Sequence, residues 1–157
     1  VNWYGACGYA QWLTEKTGQP WRLPHELEWE KAAKGVDGRF FPWGDGFDPS
    51  YCCMKHSHEH SSLPVKSSSF PIDSSVYGVR GMGGNVMDWT DTPWTENWED
   101  LIENNFIKKS EASDQISRTF RGGCWNLGSV EARCSSRSSR LPSRRFGVLG
   151  FRVCRSL

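Results

Sequence analysis

Several stretches of the sequence carry residue types at spacings that chemistry uses. YGVRGMGGNVMDW places Gly78, Gly81, Gly83 and Gly84 ahead of Asn85 and Asp88. Glycines let backbone carbonyls turn inward, and Asn and Asp add hard oxygen donors, which is the ligand set calcium takes. The same composition also makes a tight turn whose polar side chains satisfy backbone amides, and both readings stand. KHSHEH sets His56, His58 and His60 two residues apart, on one side of an extended segment where imidazoles can catch a transition metal. Its Ser-rich surroundings preorganise nothing, so an exposed polar loop is the expectation. Cys124 follows Gly122 and Gly123, with Arg121 and Arg133 in the same stretch. Cations near a thiol lower its pKa, but a small buried cysteine beside Trp125 is the commoner outcome, and no histidine lies C-terminal to His60. Asp88 and Asp91 form a carboxylate pair suited equally to acid–base work, ion binding or turn capping. HELEW opens like a zinc-protease helix at His25 and Glu26 but has Trp29 where the second histidine is required, so that reading fails.

Those residues must be positioned by one small domain. The chain has 157 residues, 37% hydrophobic and 13% aromatic, enough for a single core, while 16 Gly and 8 Pro interrupt any long element. No apolar run is long enough to span a bilayer. The six cysteines, Cys7, Cys52, Cys53, Cys124, Cys134 and Cys154, show no C-x-x-C spacing, which argues against zinc and for reduced, buried thiols in a cytoplasmic protein. The formal net charge of +1 hides an asymmetry: residues 121–157 carry eight Arg and one acid, Glu131, against 11 cations and 17 acids before them. Arginines of such a tail pair with carboxylates of the same fold more often than with phosphate. No nucleic-acid partner is expected.

Residues 3–16 read as a first helix, with Cys7, Ala10, Gln11 and Thr14 at helical spacing, Trp3, Tyr9 and Trp12 as its apolar weight, and Gly18 as a stop. WRLPHELEWEKAAKG reads as a second, with Pro24 in its first turn, Glu26 and Glu28 near the positive end, Lys31 and Lys34 near the negative end and Gly35 as cap. Leu27, Trp29, Ala32 and Ala33 form its expected buried side. From Val36 to Tyr77 turn residues are so dense that ordered loop is expected, held by Phe40, Phe41, Trp43 and Phe70 or by an ion. Residues 90–117 read as a polar excursion anchored by Trp94, Trp98 and Leu101. RTFRGGCW and GFRVC then read as strands joined by an Arg- and Ser-rich connection.

Taken in order, VNWYGACGYAQWL, RLPHELEWEKAAKG, FPWGD, YGVRGMGGNVMDW, RGGCW and GFRV closely resemble the formylglycine-generating enzyme family, also called the sulfatase-modifying-factor domain, from Val1 to Val153. The resemblance implies an α+β, C-type-lectin-like fold: two helices packed on small twisted antiparallel sheets with much ordered loop. It implies one domain over residues 1–157, without the further N-terminal strands that family domains carry. Enzymes of the family place two copper-binding cysteines shortly after RGG. Here Cys124 falls at the serine of their Gly-Gly-Ser, Leu127 falls at the first catalytic cysteine, and the shorter segment leaves the second without a counterpart, so no copper is expected. Cys134 resembles a structural cysteine whose partner position reads as Ala33. The family's calcium turn survives in part, with carbonyls of Gly84 and Val86 and the carboxylate of Asp88, while Gly81 replaces a side-chain ligand; a weakened Ca²⁺ site is implied. A second ion site is not, because its asparagine corresponds to Cys53.

Two non-oxidase branches are closer. Bacterial signalling proteins share GVDGRFFPWGD, FDPS and GFRVCRSL and carry the domain fused to kinases or other modules. Variable proteins of diversity-generating retroelements end in RGGSWN and GFR, and mutagenesis of their asparagine codons yields residue types found here at Leu127, Gly128, Ser129, Ser136, Ser138, Ser139, Arg140, Leu141, Ser143, Arg145, Phe146, Gly147 and Val148. The expectation is a non-catalytic recognition module. Trp125, Asn126, Leu127, Ser129, Ser138, Arg140, Leu141, Ser143, Arg145, Phe146 and Val148 would contact a protein or peptide ligand. The alternative is an oxidoreductase, either a divergent oxidase using Cys124 or part of a sulfoxide synthase.

Overall fold

The computed structural model describes residues 1–57, 63–103, 106–107 and 113–156. Helix α1, Trp3–Thr17, starts where the Asn2 side chain accepts the Gly5 amide and stops at Gly18, whose φ of 67° suits glycine. Helix α2, Glu26–Lys34, is capped by His25, whose Nδ1 accepts the Leu27 amide, while Glu28 accepts the His25 amide. Pro24 therefore stands one residue before the cap rather than inside the first turn, and its carbonyl accepts the Asp91 amide. Glu26 belongs to the buried side of α2 with Trp29 and Ala33, whereas Leu27 and Ala32 are only partly covered. On α1 the buried face is Trp3, Ala6 and Ala10; Tyr9 and Trp12 point outward, because they lie off that i, i+3, i+7 line.

Eight strands follow: β1 Trp21–Arg22, β2 Met87–Pro93, β3 Ile102–Glu103, β4 Phe106–Ile107, β5 Arg118–Arg121, β6 Arg137–Arg140, β7 Leu149–Phe151 and β8 Cys154–Arg155. The main sheet has the order β6-β5-β2-β7, and β1 with β8 and β3 with β4 make two-stranded sheets. β7 runs parallel to β2, so the main sheet is mixed rather than antiparallel throughout. β6 is also a strand inside the expected Arg- and Ser-rich connection. RSSR has little β propensity of its own and is held there by pairing residue for residue with β5.

Strand alternation sorts the sheet into two faces. Met87, Trp89, Phe120 and Leu149 meet Trp3, Ala6, Leu23 and Cys124 in one cluster. Asp88 and Arg121 face α2, where Asp88 accepts the Trp29 indole N–H and Arg121 meets Glu26. Trp29 and Trp89 are essentially fully buried, and each removes about 200 Å² from water, about 5 kcal/mol gross.

The long loop is held as the aromatics suggested. Phe41 stacks on Trp43 at 5.3 Å and shares a buried cluster with Cys52, Met54 and Ala132, although Phe40 is 60% exposed. A second, unforeseen tie is Asp73, buried, whose Oδ1 accepts the amides of Met82 and Gly83. In the 90–117 excursion Leu101 is buried, Trp98 is 57% exposed, and Trp94, 36% exposed, lies under Arg137.

Candidate functional site

The main sheet's topology builds a cleft. β6 and β7 are its two edges and run in the same direction, so residues 141–148 must return from the Arg140 end of β6, across β5 and β2, to the Met87 end. This crossover is tied to the start of α1, where the Trp3 amide donates to the Pro142 carbonyl. Beneath it lies a cavity of about 450 Å³. Its floor is apolar, formed by Met87, Phe120 and Leu149 of the sheet with Leu127 and Val130 of the preceding loop. Ser136, Ser138, Arg140 and Glu131 supply polar atoms around it, and Phe146 and Val148 come from the crossover.

Five of the residues expected to contact a ligand, Leu127, Ser138, Arg140, Phe146 and Val148, converge on this cavity. Leu141, Ser143 and Arg145 are exposed on the crossover beside it, and Asn126 is exposed on the loop before it. Trp125 and Ser129 are partly covered and do not line it. The Trp125 indole N–H is buried and has no hydrogen-bond partner among the described residues. Met87, Phe120, Val130, Glu131 and Arg137 line the cavity unforeseen, joined by Ser136, one of the residues of retroelement-variable type. Alternation within RTFR puts Phe120 on the apolar face and so gave a signal for it; nothing local marked Glu131 or Val130.

The chemistry expected of Cys124 is muted. It is 1% exposed, its thiol donates to Asn126 Oδ1 at 3.1 Å, and burial pushes its pKa up. Arg121 does not activate it, because its guanidinium is spent on Glu26, Glu30 and the Cys134 carbonyl. Leu127 stands in the cavity wall. Cys134 packs with Ala33, Trp29 and Met82, and burial pushes its thiol up to about 11. Among the described residues all six cysteines are free.

In the glycine turn, a guanidinium occupies the Asp88 carboxylate, one of the three expected calcium ligands. Arg152 Nε donates to Asp88 Oδ2 at 2.6 Å and its Nη2 to the Gly81 carbonyl at 3.0 Å, while Trp29 Nε1 donates to the same Oδ2 at 2.9 Å. Asn85 clasps Val65 instead, accepting its amide at 2.9 Å and donating to its carbonyl at 3.0 Å. Gly84 is there for clearance: a Cβ would stand 2.4 Å from the Cys53 carbonyl oxygen. A calcium ion held by Asp88 with the Gly84 and Val86 carbonyls would have to compete with two N–H donors for Asp88 Oδ2, which weakens what the turn offers it. Asp91 lies apart, its pKa raised by burial. His58 and His60 of the histidine cluster lie outside the described residues, and no group of three metal-ligating side chains occurs among the described ones.

The acidic body does neutralise part of the arginine tail. Glu26, 1% exposed at its side chain, receives Arg121 at 3.0 Å and Arg137 at 2.6 Å, and Glu30 takes the other arm of Arg121. Arg137 also lies over the Trp94 ring at 4.9 Å. Arg133, Arg140, Arg144 and Arg145 remain exposed.

The profile of the Sulfatase-modifying factor enzyme 1-like domain matches residues 1–157. The chain belongs to this family. Sulfatase-modifying-factor relatives include the serine/threonine-protein kinase pkn1 of Chlamydia caviae, 30% identical over 100% of this chain and 24% of the kinase. The formylglycine-generating enzyme of Mus musculus is 30% identical over 97% of this chain and 42% of the enzyme. The chain thus spans a quarter to under half of the length of these relatives. Among solved structures of the fold, PvdO from Pseudomonas aeruginosa superposes with a TM-score of 0.84 at 28% identity, covering 100% of this chain and 60% of PvdO. Treponema denticola variable protein 1 superposes with a TM-score of 0.76 at 20% identity, over 99% and 70% of the two chains. These neighbours bear out the α+β, C-type-lectin-like architecture. No described helix is long and apolar enough to cross a membrane.

Proposed function

We propose that this sulfatase-modifying-factor domain is a non-catalytic recognition module that holds a protein or peptide ligand in the cleft under residues 141–148. The observation that carries the reading is the cleft itself: an apolar floor with a few polar groups at its margin, walled by Leu127 where the resemblance puts a reactive cysteine. The one nearby thiol, Cys124, is buried, raised in pKa and hydrogen-bonded within its own loop. Similarity to a pkn1 kinase over the whole of this chain and 24% of the kinase supports a setting as the sensor part of a signalling protein. The shared fold of the variable protein is compatible with a diversified binding site on the same crossover.

The oxidoreductase reading rests on the 30% identity to the mouse formylglycine-generating enzyme. Incubating the purified domain with copper and a cysteine-containing sulfatase peptide separates the two. Recognition without catalysis leaves the peptide's cysteine intact; any formylglycine formed overturns the proposal.

A further inference from the structure

Features around the cleft narrow the ligand's chemistry. β6 is an edge strand: β5 occupies one side, and no described strand pairs with the other. An edge of this kind offers a row of backbone donors and acceptors to an incoming chain. Ser138 stands opposite Phe120 in the β5–β6 register and lines the cavity with it. Phe120 is 6% exposed, and on this edge it is the small, partly covered Ser138 side chain that stands beside its ring. Arg140, two residues along β6 and hence on the same face, is exposed and among the described residues meets the neighbouring Ser139 carbonyl and the Phe146 ring.

Around this opening cations outnumber the one acid, Glu131. Arg121, Arg137 and Arg152 are held by carboxylates. Arg133, Arg140, Arg144 and Arg145 are exposed, and none makes an ion pair among the described residues. A phosphate backbone would suit the arginines but leaves the apolar floor unfilled. An acidic polypeptide with an apolar anchor uses both, provided the anchor and not an acid faces Glu131.

Building on the recognition reading, we propose that the cleft takes an extended acidic segment of a partner protein, added as a strand on the outer edge of β6. One bulky apolar side chain enters over Ser138 onto Phe120. A carboxylate two residues from that anchor, on the same face of the added strand, meets Arg140. Flanking acids meet the cations of the crossover.

The test is fluorescence polarisation with labelled ten-residue peptides, each bearing one Leu or Phe in an acidic, a neutral or a basic background. The acidic set is expected to bind best. Changing the acid two residues from the anchor to Lys weakens binding roughly tenfold, as does N-methylation of alternate residues. Ser138→Trp fills the opening and abolishes binding. Arg140→Glu, at an exposed position that the fold does not need, shifts preference to the basic set. If neutral or basic peptides bind as tightly and are still lost in Ser138→Trp, the acidic class is wrong and the recognition reading survives. If no peptide of any class responds to either variant, both fall. If a single-stranded oligonucleotide competes with the acidic peptides at equal strength, a nucleic-acid site replaces the proposal.

Discussion

Replacing Glu26 by Gln should unseat the electrostatic centre of the molecule. The Glu26 carboxylate is 1% exposed and accepts three N–H donors, from Arg121 at 3.0 Å and from Arg137 at 2.6 and 2.8 Å. With Glu30 it balances two guanidinium charges by two carboxylates, and the Arg121 side chain is itself 1% exposed. Gln keeps the volume but removes one charge and turns an NH₂ toward guanidinium donors. Removing one partner of a buried pair costs about 3–5 kcal/mol, a large part of the roughly 5–15 kcal/mol that holds a domain together. For a chain of this size the melting temperature should fall by roughly 10 °C, and the urea midpoint should fall with an unchanged slope. Substituting Leu at both Glu26 and Arg137 should cost less than Glu26→Gln alone, because the Arg121–Glu30 charges still balance. A Glu26→Gln loss under about 1 kcal/mol, the behaviour of a solvated pair, would refute the argument.

Asp73 sets a pH dependence of known sign. Burial pushes its carboxyl up to about 6 despite the amides of Met82 and Gly83. A carboxyl raised in the folded state adds stability below its unfolded pKa and loses it as pH rises through about 6, an effect of about 2–3 kcal/mol; Asp73→Asn should flatten that part of the urea-stability profile. Gly84→Ala drives a Cβ to 2.4 Å from the Cys53 carbonyl oxygen, whereas Gly128→Ala meets nothing within 4 Å. The first should destabilise by about 3 kcal/mol or more and the second stay within about 0.5 kcal/mol by denaturant titration. Millimolar calcium should leave the melting temperature of the wild type unchanged, since Arg152 already holds Asp88; a rise in melting temperature with calcium would show that the turn binds it.

Both helices could be read from the sequence because their signals are local. Gly18 and Gly35 end them through conformations that glycine adopts most easily, and Glu28 completes its capping box within four residues. The misreading of Glu26 came from the same locality: a glutamate in a first turn reads as dipole complement, and nothing in HELEWEK announces that Glu26 is met by arginines 95 and 111 residues away. Of the nominated ligand residues, Leu127, Ser138, Arg140, Phe146 and Val148 line the cleft, Leu141, Ser143 and Arg145 stand beside it, and Trp125 and Ser129 do not reach it. Their loop folds back on Asn85 and Leu127 contacts that no spacing encodes.

Order of motifs, cap chemistry and glycine placement are written in the chain and fix the family scaffold, since each depends on residues a few positions apart. Whether RSSR becomes a strand, whether β7 lies parallel to β2, and what meets the Asp88 carboxylate are decided by register between segments far apart in sequence. Those pairings place an apolar floor under an arginine-rich crossover, and the site exists only once the sheet has closed over both.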